Sequence, residues 1–276
     1  MSRRSVHRCS RLLIRAAAGA GVVAAAACSD DDVTNPPSFT PNAVVTADQL
    51  KTALQGAVGS NSKVDNGGLG LNMWATVVDR SGVVVAVVFT GTTEGDQWPG
   101  SRIISAQKAN TANNFSLSAP GSLALSTANL YSAVQPGGSL FGLQDANPIN
   151  EDAAYGGNAA DYGTTRDYMV GKRIGGTNVF GGGFALYDAN GNIVGGVGVS
   201  GDTSCADHVI GWKVRHALNL DNVPAGVSAT GDDNIIYDID ANGKSAGGFG
   251  HPHCLDAATE STIAANLPVA FPVGPQ

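Results

Sequence analysis

Two pairs of β-branched apolar runs, each pair split by a four-residue turn signal, set the strongest limit on this chain. Residues 71–78 and 83–90 flank Asp79-Arg80-Ser81-Gly82. Residues 179–187 and 193–200 flank Asp188-Ala189-Asn190-Gly191. A connection this short permits only antiparallel pairing, because a parallel partner needs a crossover of about a dozen residues or more. Helical patterns lie before, between and after the pairs. Thr46 with Gln49 three residues on has capping-box spacing, and Leu50, Leu54 and Ala57 give one apolar face. Ser101 opens a second helix to about 112, with Ile103, Ile104, Ala106 and Ala109 as its buried face. A shorter helix is expected over 122–133. Asp202 or Thr203 begins a last one to about 218. The fold class that follows is α+β, an antiparallel sheet packed by helices. Glycines at 181–183, 195, 196 and 198 mark close backbone packing or bulges.

Two segments lack either period. Residues 144–171 are acidic, rich in Asn, Gly and Ala, and read as an inserted surface loop carrying Tyr155, Tyr162 and Tyr168. Residues 221–276 read as a loop-rich extension with one short strand over 234–238.

The N-terminus is expected to lie outside the fold. Arg3, Arg4, Arg8, Arg11 and Arg15 precede a small-residue apolar core, and residues 1–27 read as an export signal. Ala25-Ala26-Ala27-Cys28 resembles a lipobox, with Cys28 as the lipidated residue and 28–45 as a tether. The expected location is the bacterial cell envelope, lipid-anchored or else periplasmic or extracellular. Five of the 16 basic residues lie in that leader and none of the 23 acids do. The remainder therefore carries 11 bases against 23 acids, a net charge of −12. That disfavours nucleic acid as a partner, and leaves the lipid as the only membrane attachment. Cys205 and Cys254 are then the two thiols of the exported chain, and in an oxidising compartment they are expected to pair.

The motifs, taken in order, resemble the GlcG/HbpS-like family of heme-binding domains, related to the C-terminal domain of PduO. The residues that carry the likeness are Val78-Asp79-Arg80-Ser81-Gly82, Lys108-Ala109-Asn110-Thr111-Ala112, and Gln135-Pro136-Gly137-Gly138-Ser139-Leu140-Phe141-Gly142. Phe180-Gly181-Gly182-Gly183-Phe184-Ala185-Leu186 and Gly195-Gly196-Val197-Gly198-Val199-Ser200-Gly201 follow, before a helix with Asp207. The resemblance covers residues 46–220. It implies a profilin-like α+β fold, frequent oligomers, and heme binding, with heme degradation in some members. The chain departs from the pattern at 144–171, after 220, and in the Cys205/Cys254 pair.

Heme needs an apolar slot, an axial ligand and donors for two propionates. The candidate ligands are His208 and His216 on the last helix, and His251 and His253 beside Cys254. Tyr155, Tyr162 and Tyr168 are a weaker set. Lys108, alone among small residues, suits a cleft that takes a carboxylate, such as a propionate or a small organic acid. Gly196 to Gly201 has dinucleotide-loop spacing but sits on a hairpin strand, which does not supply the βαβ unit that loop requires. Residues 238–249 begin like a calcium loop and put Phe249 where its last carboxylate belongs. Three readings result: envelope heme sequestration or sensing; heme-degrading or small-acid chemistry at Lys108; and a partner-binding module that uses 144–171. The absence of an evident acid/base pair favours a binding protein over an enzyme.

Overall fold

The same turn device closes both hairpins in the computed structural model, which describes residues 36–118 and 121–274. The Asp79 carboxylate accepts from the N–H groups of Ser81 (2.8 Å) and Val83 (3.0 Å), and Gly82 takes φ 78°. The Asp188 carboxylate likewise accepts from Asn190 (2.8 Å) and Asn192 (2.9 Å), and Gly191 takes φ 74°. An Asp side chain that bonds its own backbone two residues on is a local turn former, and Gly supplies the left-handed position. Strands β1 (Trp74–Asp79) and β2 (Val84–Phe89) form the first hairpin, and β3 (Gly183–Tyr187) and β4 (Ile193–Ser200) the second. They join in one antiparallel sheet of order β2-β1-β4-β3, with Trp74 opposite Ser200 in the central pair.

Successive side chains of a strand point to opposite faces, and here both faces are buried. Ala75, Val77, Phe184, Leu186, Val197 and Val199 pack under helices α1 (Ala47–Val58) and α6 (Ser204–Ala217). Trp74, Val78, Val84 and Val87 pack under α3 (Ser101–Phe115). Gly183, Gly196 and Gly198 lie beneath α3, so its backbone rests almost directly on the sheet. The α+β class and the helix-flanked antiparallel sheet are as the sequence predicts. The expected capping box is present, Thr46 Oγ1 accepting from Gln49 N–H at 3.1 Å and Gln49 Oε1 from Thr46 N–H at 2.8 Å.

Several boundaries differ. The first strand starts at Trp74 rather than 71, because the Asp202 carboxylate takes the N–H groups of Leu69, Gly70 and Leu71. The third starts at Gly183 rather than 179, since Gly181 and Gly182 turn against α6, Gly182 at φ 113°. The expected 122–133 helix is two 3-10 turns, Thr127–Leu130 and Ser132–Val134. Residues 234–238 form no strand, since Ile235 N–H donates to a side chain of α6 instead. The tail instead carries a helix, α7 (Ala257–Ala270).

The 144–171 segment keeps much of its length at the surface and is pinned to the fold at a few buried points. It contains α4 (Leu143–Ala146) and α5 (Glu151–Tyr155), and it buries Ala153, Ala154 and Met169 against the α3 face. Its anchor is Arg102 of α3, which forks onto the buried Asp167 carboxylate and donates to Ala154 O at 2.8 Å. The short helix α2 (Ser62–Asn66) completes the set. The expected signal over 1–27 and the lipidation at Cys28 lie outside the described residues.

Candidate functional site

Helices α1 and α6 lie side by side on one face of the sheet, and an open groove of about 1000 Å³ runs along them. Val45, Ala53, Ala57, Leu218, Leu220 and Phe271 give it apolar walls. Lys213 and His216 on α6, Asp48, Gln49 and Thr52 on α1, and Asp65 supply polar groups. The groove exists because α6 stops abruptly. Asn219 adopts φ 55°, the only non-glycine residue with positive φ among those described, and turns the chain back. Leu220 O then accepts from Tyr187 N–H at 2.8 Å, which pins the next residue, Asp221, beside the end of β3.

Asp221 Oδ2 thereby meets His216 Nδ1 at 2.6 Å. Asp221 is nearly buried, while the His216 side chain keeps 34% exposure. A carboxylate on one ring nitrogen makes that nitrogen the donor and so fixes the tautomer of the neutral ring. Nε2 makes no hydrogen bond with the described residues. The Phe271 ring stands edge-on to the imidazole, 5.5 Å between centroids. Lys213 Nζ donates to Asn66 Oδ1 at 2.7 Å and Asp65 O at 3.1 Å, and burial lowers its pKa.

The other sequence candidates gather around the first turns of α6, away from the groove. His208 is fully buried; its Nε2 accepts from Ile235 N–H at 3.0 Å, and its ring lies 4.8 Å from that of Phe184. Desolvation pushes its pKa down to about 3. His251 is also buried. Its Nδ1 donates to Pro252 O at 2.7 Å, and Nε2 accepts from the Ser204 hydroxyl at 2.7 Å. Desolvation pushes it down to about 4. His253 holds Glu260 Oε2 at 3.0 Å and stacks on Tyr237 at 4.0 Å. Cys205 and Cys254 form the expected disulfide. It closes a loop of 49 residues, worth about 3–4 kcal/mol in the chain-entropy account.

Lys108 does not stand free in a cleft. It is 1% exposed, and its amine donates to Asp207 Oδ2 at 2.7 Å and Val199 O at 3.1 Å. The carboxylate it was expected to hold belongs to the chain itself. Desolvation lowers the Lys108 amine and raises Asp207 to about 6. Removing one partner of a buried pair strands the other, which typically costs about 3 kcal/mol or more. Lys108→Met should therefore lower stability by about 3 kcal/mol in urea denaturation at pH 7. Lys108→Met with Asp207→Leu should recover most of that loss. A single variant as stable as the parent would show that the pair carries nothing. Of the tyrosines, Tyr162 stacks on the Arg102 guanidinium at 3.7 Å and Tyr155 is exposed. The Tyr168 ring lies 3.6 Å from the Lys172 amine.

Asp221, Lys213 and Phe271 were not legible as site residues. The His216/Asp221 spacing across a helix end is the one sequence signal that points to the pairing.

Comparison with known proteins places this architecture. The family model described as haem degrading protein HbpS-like matches residues 45–214. No curated protein matches the chain. Among solved structures, Klebsiella pneumoniae protein ORFY is 22% identical, with 66% of this chain and 93% of that one covered and a TM-score of 0.41. PduOC in a heme complex is 22% identical, covering 63% and 91%, at a TM-score of 0.41. A double mutant of Streptomyces reticuli HbpS is 17% identical, covering 73% and 97%, at 0.38. With its sheet, α1, α3 and nearly all of α6 inside the matched segment, the chain belongs to the HbpS-like family.

Proposed function

We propose that the protein binds heme in the α1/α6 groove, where His216 Nε2 would hold the iron. The observation that carries the reading is the Asp221–His216 pair. It leaves one imidazole nitrogen without a hydrogen bond to the described residues in a groove of mixed apolar and polar lining, the arrangement that carboxylate partners give to metal-bound histidines. Membership of a family described by haem degradation, and a heme complex among similar folds, support the choice of ligand. The groove is large enough for a porphyrin, and Phe271 and Leu218 suit its apolar face. Lys213 at the groove is the nearest match for a propionate. Bound heme supplies an iron capable of ligand exchange and one-electron chemistry. The protein's own part would be to desolvate the porphyrin and to hold the imidazole tautomer. With the leader and Cys28 acting as the sequence suggests, this is sequestration or sensing of heme at the cell envelope. Small apolar acids are the wider ligand class.

Heme titration of the full chain, followed by absorbance, tests the assignment. His216→Ala should abolish the saturable Soret shift. Asp221→Asn should weaken binding by about 10-fold or more, as expected for loss of an orienting carboxylate. His253→Ala should change neither. Unchanged binding in His216→Ala would move the ligand elsewhere, and no uptake by the parent would end the heme reading.

A further inference from the structure

The disulfide and His251 form a compact donor set that the heme reading does not use. The Sγ atoms of Cys205 and Cys254 and a ring nitrogen of His251 all lie within 4.8 Å of one another. We propose that, when the disulfide is reduced, these three residues bind a zinc ion. The result is a redox-gated Cys₂His site at the junction of α6 and the C-terminal extension.

Three features carry the inference. The first is that His251 is already oriented as a ligand. Its Nδ1 donates to Pro252 O, so Nε2 is the nitrogen with a lone pair. The partner of that nitrogen is a neutral hydroxyl, Ser204 Oγ at 2.7 Å, which a cation can displace. Backbone carbonyls on the far ring nitrogen are the usual second shell of zinc histidines.

The second is that the loop bearing His251 and Cys254 is held by bonds other than the disulfide. His251 N–H donates to Ile236 O at 2.8 Å, and the Ser132 hydroxyl to Gly250 O at 2.6 Å. The buried Glu260 carboxylate takes Cys254 N–H at 2.9 Å and Leu255 N–H at 2.7 Å. Cys205 rides on the first turn of α6, whose Thr203 cap is independent of the bond. Breaking the disulfide therefore leaves both sulfurs beside the imidazole. Two thiolates and one imidazole, with the fourth position open beside Ser204, suit the tetrahedral preference of zinc.

The third is access. Cys205 is buried and Cys254 is half-buried, so attack by a reductant falls on Cys254. The reductant class is a dithiol. Its two thiols are oxidised to a disulfide, and the electron pair and two protons pass to the sulfurs of Cys205 and Cys254. Zinc then displaces those two protons and forms two Zn–S bonds and one Zn–N bond. An oxidant of the disulfide class takes the electron pair back and is itself reduced to two thiols, so the Cys205–Cys254 bond re-forms and the ion is released. Cys254 and His251 lie outside the segment matched by the family model, so the site belongs to this chain's own extension.

The test uses the full heme-free chain, reduced and freed of reductant without oxygen. Cobalt(II) and then zinc are titrated in, with circular dichroism run in parallel. The expected result is one equivalent of cobalt with thiolate charge-transfer and tetrahedral ligand-field bands, bleached by zinc. The oxidised chain should show neither band. His251→Ala should weaken zinc by about 10-fold or more, and Cys254→Ser should abolish the charge-transfer bands. Zinc should also restore resistance of the 251–255 segment to proteolysis if reduction loosens it. A folded reduced chain that takes up neither ion would overturn the proposal. So would a reduced chain that unfolds and is not rescued by zinc, or cobalt bands indifferent to His251→Ala.

Discussion

Gly198→Val is expected to leave the chain unfolded or insoluble, a loss of at least about 4 kcal/mol of stability. Gly198 lies in β4, opposite Thr76 of β1 and Gly183 of β3, at the centre of the sheet. A Cβ there would fall onto Ser105 O, deep inside contact distance, and 2.5 Å from Ala109 N. Both are backbone atoms of α3, so no side-chain rotation relieves the clash. The helix would have to lift from the sheet. That would open the packing of Ile103, Ala106 and Ala109 and pull Lys108 away from Asp207. Overpacking a core with one methylene or so costs about 1–3 kcal/mol; displacing a whole helix exceeds that range. Gly56 on α1 is the control, because a Cβ there meets nothing within 4 Å. Gly56→Ala should be neutral or slightly stabilising, as helix propensity favours alanine. Urea midpoints of the two variants settle the matter: a Gly198→Val chain within about 1 kcal/mol of the parent would show that α3 is not seated as described.

This dependence also shows where the sequence was informative. The turn aspartates, the Thr46 capping box and the glycine run act over a few residues, so their patterns predict their roles directly. The Cys205–Cys254 bond was legible from compartment and count rather than from distance. What failed was non-local. Arg102 and Asp167 lie 65 residues apart, and no local pattern reveals the ion pair that ties the 144–171 segment to α3. Helix α7 was missed because it contains Pro268 and buries little beyond Glu260, Ala264 and Leu267, too narrow an apolar stripe to read as a helix period. The groove followed the same rule. His216 was a candidate on composition alone, but its distinction from His208 rests on the turn at Asn219 that brings Asp221 back. Lys108 shows the converse, since a lone charge among small residues found its counter-ion at Asp207, 99 positions away.

Acid should destabilise the fold already between about pH 6.5 and 4.5. His208 and His251 are buried neutral, with desolvation holding them near about 3 and about 4 against 6.5 when exposed. The unfolded chain takes up both protons as the pH falls through about 6.5, and the native chain takes up neither until near pH 4. Their contribution to stability is therefore full above about pH 6.5 and is lost as the pH drops toward 4. Each costs about 1.4 kcal/mol per pH unit in that window. Asp207 works the other way. Desolvation raises it to about 6 from 3.8, so the native chain gains a proton there that the unfolded chain gains only lower down. The net difference falls to about one proton below about pH 6, and the expected loss from pH 6.5 to 4.5 is about 3 kcal/mol. That is a large fraction of the stability of an ordinary domain. Urea denaturation at steps between pH 7.5 and 4.5 measures the slope directly. His208→Gln, whose amide oxygen can still accept from Ile235 N–H, should flatten the slope by about one proton whatever Asp207 does. An unchanged slope in that variant would mean that His208 titrates in the native chain, and so that water reaches the interior between α6 and the C-terminal extension.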